Sequence, residues 1–219
     1  MKATFSLVFA LLTIFSAQAQ LANDNTLAVQ IDGKEYKTQP RQIQIGNYAY
    51  FTGNSTKPDR MLRVWLGDFN GRAVSEPGLY LIVNADRPDT RENIKRAQDL
   101  GKYRGIAAIR YVEETKTPRM EYHVGDSQNN NETLEVKSVS DGFIELSFNA
   151  TLSGTYWKEK ASATVFGGLG RLRDKIEDKV VTSATGYDNN IDPEGNGYKK
   201  QDKTDTVILK DGKMRLKKN

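Results

Sequence analysis

The sequence predicts an all-β fold, an antiparallel β-sandwich (or barrel) of roughly ten to twelve strands with one or two short surface helices. Three observations predict it. Over residues 143–157, Ile144, Leu146, Phe148, Ala150, Leu152 and Tyr156 share one parity, and Glu145, Ser147, Asn149, Thr151, Ser153 and Thr155 share the other. That is the period of a long strand with one buried and one wet face. Asp-Gly recurs between apolar runs at Asp32-Gly33, Asp141-Gly142 and Asp211-Gly212, and both residues tolerate the positive φ that tight hairpins require. Turn-forming clusters punctuate the remaining short strands.

Taken in order, residues 1–19 read as a secretory leader. Lys2 gives a short positive start, residues 3–15 are mostly apolar, and Ala17-Gln18-Ala19 is a small-x-small cleavage site before Gln20. Residues 20–219 then form a single domain. The chain has no cysteine, so the exported protein carries no disulfide and no lipid-anchoring Cys, and its location is periplasmic or extracellular. No second apolar run is long enough to span a bilayer. Cleavage removes one lysine, so a net charge of +4 becomes +3. Acids interrupt the basic stretch at 87–104, which excludes nucleic acid as the expected partner.

Residues 27–37 predict a hairpin about Asp32-Gly33 that pairs Ile31 with Lys34 and Val29 with Tyr36. Residues 41–51 predict one strand, 53–59 a turn, and 61–66 a strand with Leu62, Val64 and Leu66 inward. Glu76-Pro77-Gly78 launches the strand at 79–84. Within 87–102, Asp89 and Glu92 make a capping box, Ile94 and Ala97 share a face, and Gly101 ends a surface helix. Strands follow at 104–112 and 119–124, then a polar loop at 126–132.

Around Asp141-Gly142 a two-residue turn would set Val136 opposite Ser147. A three-residue loop, Ser140-Asp141-Gly142, sets Val136 opposite Leu146 and Leu134 opposite Phe148, and is preferred. Residues 161–166 predict a strand ending in Gly167-Gly168-Leu169-Gly170, and 171–180 a helix. Those glycines lack the Gly-Lys-Ser/Thr ending of a phosphate loop. A long polar loop is expected at 182–205. Finally, 206–217 predict a hairpin about Asp211-Gly212 that pairs Leu209 with Met214 and Val207 with Leu216.

Ile31-Asp32-Gly33-Lys34-Glu35-Tyr36 resembles the opening hairpin of uncharacterised secreted β-sandwich proteins common in Bacteroidota. Pro77-Gly78-Leu79-Tyr80, Leu152-Ser153-Gly154-Thr155 and the run from Val207 to Met214 occur there in a similar order. The resemblance implies fold and location rather than an activity.

The catalytic inventory is thin. His123 is the only histidine. It alternates with Tyr122 and is expected to face outward, and no nucleophile-elbow motif accompanies it. Cysteine chemistry and a zinc site with more than one His or Cys ligand are excluded. Carboxylates are plentiful, but spacing selects no glycosidase pair.

Trp157 and its neighbour Tyr156 are the candidate ligand-stacking residues, set against the plainer reading that Trp157 packs over a sheet edge or under 171–205. Asp188, Asn190, Asp192 and Glu194 place oxygens at every second position and form a candidate calcium loop. Pro193 and Lys199 depart from the EF-hand pattern. The expectation is an exported, non-catalytic binding or interaction domain with a glycan or an envelope protein as partner and no obligatory cofactor. A lipocalin-like carrier of a small apolar ligand and a carbohydrate-active hydrolase are the alternatives.

Overall fold

The computed structural model describes residues 25–45, 48–56, 59–116, 120–160, 193–194 and 197–217, by backbone alone over 41–45, 48–56 and at 59. The leader at 1–19, the strand at 161–166, the glycines at 167–170 and the helix at 171–180 lie outside the described residues.

The elements are β1 (Thr26–Ile31), β2 (Lys34–Thr38), β3 (Arg41–Ile45), β4 (Tyr48–Thr56), β5 (Asp59–Asp68), β6 (Gly78–Ile82), α1 (Arg91–Asp99), β7 (Tyr103–Lys116), β8 (Glu121–Ser127), β9 (Thr133–Ser140), β10 (Phe143–Glu159) and β11 (Tyr198–Lys217). They build one mixed sheet in the order β2-β1-β11-β10-β9-β6-β7-β5-β4-β3, with β8 paired to both β10 and β7. The class is all-β, as the alternation predicts. The sheet curls enough that Leu27, Val29 and Tyr36 from β1 and β2 share one apolar cluster with Leu62, Val64 and Leu66 from β5.

One pair departs from the antiparallel expectation. β6 and β7 run parallel, and parallel neighbours need a crossover, here α1. The helix therefore has a structural task that its sparse apolar content conceals. Its N-cap is Thr90, not Asp89. The Thr90 hydroxyl accepts the Asn93 amide at 3.2 Å, a contact worth about 1 kcal/mol. Ala97 and Ile94 join Trp65, Leu81, Val83, Tyr103, Ile106 and Ala108 in a second cluster. Gly101, at φ 67°, ends the helix as predicted.

A third cluster gathers Met61, Val112, Tyr122 and Val124 beneath Trp157 and Tyr198. With apolar clusters on both faces, β7 is buried almost throughout. The clean alternation survives on β10 as far as Ser153, where Ile144, Leu146, Phe148, Ala150 and Leu152 are buried and Glu145, Asn149 and Ser153 are exposed. Beyond it Thr155, expected on the wet face, is buried and Tyr156, expected inward, is half-exposed.

β10 and β7 diverge along the sheet. At one end the gap between them holds β8 alone, and at the other it holds both β9 and β6. Ser127, fully buried, sits where the gap widens. Its hydroxyl accepts the Ile109 amide at 3.0 Å and donates to the Val83 carbonyl at 2.6 Å, joining the end of β8 to β7 and to the residue that follows β6.

The first hairpin has the predicted register, Ile31 with Lys34 and Val29 with Tyr36. Other turns differ from expectation. Residues 41–51 are not one strand but the two arms of a hairpin, Ile45 opposite Tyr48. Gly53 to Thr56 continue β4 in pairing with β5 and are strand, not turn.

At Asp141-Gly142 both φ values are positive and Ser140 pairs with Phe143, so the loop has two residues, not three. A bulge at Lys137 then resets the ladder. Val136 still meets Leu146 and Leu134 still meets Phe148. Asp211-Gly212 is no hairpin. β11 runs straight through it as a bulge, with Phe148 opposite Gly212 and Ala150 opposite Leu209. The extra residue flips parity, so Val207 and Leu209 before it and Met214 and Leu216 after it all reach the core. Residues 198–205 likewise belong to β11 and not to a loop.

Candidate functional site

Beyond the apolar core on its own face, the sheet ends in a polar row. Arg60 on β5 is in register with Glu113 on β7, Glu113 with His123 on β8, and His123 with Tyr156 on β10. Arg60 is ion-paired to Glu113 at 2.6 Å. The Tyr36 hydroxyl closes on the Arg60 carbonyl at 3.5 Å, tying β2 to β5.

The far half of the row is built around a residue from β11. Asp205 Oδ1 lies 2.8 Å from His123 Nε2, and Tyr156 donates its hydroxyl to Asp205 Oδ2 at 2.8 Å. The His123 and Tyr156 rings stack at 4.4 Å, and Lys203 sets its ammonium 4.0 Å from the Tyr156 ring centroid. Gly154, opposite both Gly125 and Asp205 in the ladder, makes the room: a Cβ there would overlap the Asp205 carboxylate and come within 2.7 Å of His123 Nε2.

Burial alone would raise the Asp205 pKa, but the hydrogen bonds from Tyr156 and His123, with the nearby cations, hold it below the usual carboxylate value. Tyr156 is pushed up to about 12, by desolvation first and then by the Asp205 carboxylate.

His123 was expected to face water, yet it is only 8% exposed. Alternation with Tyr122 assigns the two to opposite faces correctly, but both faces are covered here. Tyr122 enters the third cluster, and β11 lays Asp205 beside His123. No local signal in the sequence pairs His123 with a residue 82 positions away.

Tyr156 and Trp157 occupy opposite faces and are not brought together into one platform. Trp157 packs on the third cluster, its indole nitrogen donating to Thr155 Oγ1 at 3.2 Å. Trp65 is buried under α1. Of the candidate calcium ligands, Asp188, Asn190 and Asp192 lie outside the described residues. The Glu194 carboxylate is 2.7 Å from Arg110 Nη2, and the same guanidinium holds Asp126 at 3.1 Å.

A second polar site lies on the outer face, where sequence reasoning saw only the wet side of β10. On one edge β10 changes partner from β9 to β8 between Phe148 and Leu152; on the other, β11 bulges. A depression of about 290 Å³ opens there, lined by Glu132, Asn149, Thr151, Ile208, Lys210 and Asp211.

Its backbone is fixed. The Thr151 amide donates to both Glu132 oxygens at 2.9 and 3.0 Å, and the Asp211 amide donates to Asn149 Oδ1 at 2.8 Å. Asp32 accepts the Ile208 amide through Oδ1 at 2.8 Å and donates its own amide to the Ile208 carbonyl at 2.9 Å. None of the family models, curated proteins or solved structures compared with the chain matches it, so the reading of both sites rests on their geometry.

Proposed function

We propose that this chain is an exported, non-catalytic binding or interaction domain whose sheet closes on itself as a barrel or sandwich, with a glycan or an envelope component as its partner. The observation that carries the non-catalytic reading is the state of Asp205. A general base works best with a pKa near the operating pH. Asp205 instead accepts two hydrogen bonds, from Tyr156 and His123, and its pKa is lowered. Such a carboxylate is a weak base, and the cluster acts as a clasp holding β8, β10 and β11 together.

The leader at 1–19 supports export. The contact between Tyr36 and the Arg60 backbone supports closure, since it brings β2 against β5. Against the carrier alternative, the interior positions are occupied by large side chains, among them Tyr80, Tyr111, Leu134 and Leu152. A filled interior suits a packed core better than a ligand cavity.

The test is a broad hydrolase panel on the purified mature chain, run beside saccharide and envelope-fraction binding. Binding without turnover is expected. Turnover that disappears on Asp205→Asn or Glu113→Gln would overturn the reading in favour of a hydrolase.

A further inference from the structure

We infer that the depression between the outer faces of β10 and β11 is a saccharide subsite that takes one pyranose unit of a neutral glycan; this rests on the binding-domain reading above. The argument begins with which polar atoms are already committed. At the rim, Asp205, His123 and Tyr156 bond to one another. In the depression, the side-chain nitrogen of Asn149, the Thr151 hydroxyl, the Lys210 ammonium and the Asp211 carboxylate have no hydrogen-bond or ion-pair partner among the described residues, while the backbone around them is pinned.

Asn149 is oriented by its own carbonyl oxygen, which accepts the Asp211 amide and leaves the two N–H groups available. The depression thus presents donors at Asn149 and Lys210, an acceptor at Asp211, and a group that is both at Thr151. Sugar hydroxyls are themselves both donors and acceptors, and this mixed set suits them. A site of charges alone would select an ion.

The apolar component is Ile208, one of three large hydrophobic side chains exposed among the described residues, at 43%. It is register partner to Thr151 and lies within the depression, where the C–H face of a pyranose can rest on it. At about 290 Å³ the volume is at the foot of the range for small-molecule sites, roughly 300–1,000 Å³, which fits a single ring better than a long oligosaccharide. The pinned backbone lowers the ordering cost of binding. Lys210 stands against two carboxylates, Asp211 and Glu132, so the lining is net negative, which favours a neutral sugar over an acidic one.

The experiment titrates the mature protein with maltotriose, cellotriose, xylotriose and chitotriose, followed by amide and side-chain NMR shifts. Ligand is carried to about 10 mM, where a millimolar site is largely filled. At least one saccharide is expected to shift the Asn149, Thr151, Ile208 and Lys210 signals. A Thr151→Val, Lys210→Ala variant, checked for an unchanged melting curve, should weaken that saccharide about tenfold or more, while Tyr156→Phe leaves it unchanged.

Shifts confined to the His123 and Tyr156 rim, or affinity unaltered in the double variant, overturn the assignment of the site. Absence of binding by every saccharide overturns it as well. That outcome leaves the broader binding reading standing if the protein still associates with envelope fractions. Turnover of any of these sugars would overturn the broader reading instead.

Discussion

Asp205 Oδ1 and His123 Nε2 lie 2.8 Å apart, joined across a glycine, although 82 positions separate them in sequence. The contact makes the overhanging end of the β10–β11 ladder part of the domain rather than a free arm. Gly154→Ala should therefore be costly, since a methyl group there would displace either the carboxylate or the ring. A loss of about 1–3 kcal/mol is expected, as for other overpacked sites. In a chain of this size each kcal/mol lowers the melting temperature by roughly 2–4 °C. A melting curve equal to that of the unaltered protein would show that the clasp contributes nothing.

The same contact predicts an acid limb. The folded-state pKa of Asp205 is depressed from its ordinary 3.8. Its contribution to stability is thus fully present above that ordinary value and is lost as pH falls through the lower, folded one. Urea melts from pH 6 down to pH 2 should show a decline below the ordinary value that is shallower in Asp205→Asn. Parallel pH profiles for the two proteins would remove Asp205 from the account.

Alkali should act through the tyrosines. Desolvation raises Tyr80 and Tyr156 to about 12, and pushes Tyr36 and Tyr111 higher still. A raised phenol pKa stabilises the fold fully below the unfolded value near 10 and loses that contribution as pH rises through the folded one. Phenolate absorbance should therefore show a late component that appears together with loss of the β-sheet circular-dichroism signal. A single smooth titration complete by about pH 11 would contradict the burial of Tyr36, Tyr80 and Tyr111.

Ser127 predicts a local effect. Removing its hydroxyl in Ser127→Ala strands the Ile109 amide and the Val83 carbonyl, each at a cost of about 1–3 kcal/mol if left unsatisfied. Hydrogen exchange at Ile109 should accelerate more than at Leu146, far from the junction. Equal acceleration at both would mean that the seam opens only when the whole domain does.

How much of this was legible in advance depended on what period and parity can carry. The face assignments of β10 as far as Ser153 and the register of the first hairpin were readable, because each is set by residues adjacent in sequence or across a tight turn. Beyond Ser153 the parity fails, with Thr155 buried and Tyr156 half-exposed. At Asp211-Gly212 the pattern changes parity, and a two-residue hairpin and a bulge produce that same change. The hydrogen bond from the Asp211 amide to Asn149 accompanies the bulge, and Asn149 lies far away in sequence.

At Asp141-Gly142 the core pairing was inferred correctly but by the wrong device, since the slack sits at Lys137 and not in the loop. His123 shows the remaining limit. Alternation assigns a face, but what covers that face is decided by distant strands. The groove on the other side was hidden for the same reason, as it exists only where β10 changes partner opposite the β11 bulge.

The position of β11 between β10 and β1 also bears on the order in which the molecule can form. β1 has β2 on one edge and β11 on the other, with Gln30 paired to Lys210. A two-stranded hairpin is marginal in water by itself, so β1 and β2 wait for a strand that emerges almost a whole domain later. Such distant pairings slow folding, because the loop must close before the contact rewards it. Under the proposed export, this delay keeps the first hairpin uncommitted while the chain is still in passage. A chain stopped after Asp205 should accordingly melt without cooperativity, with residues 26–38 as open to protease as an unfolded peptide.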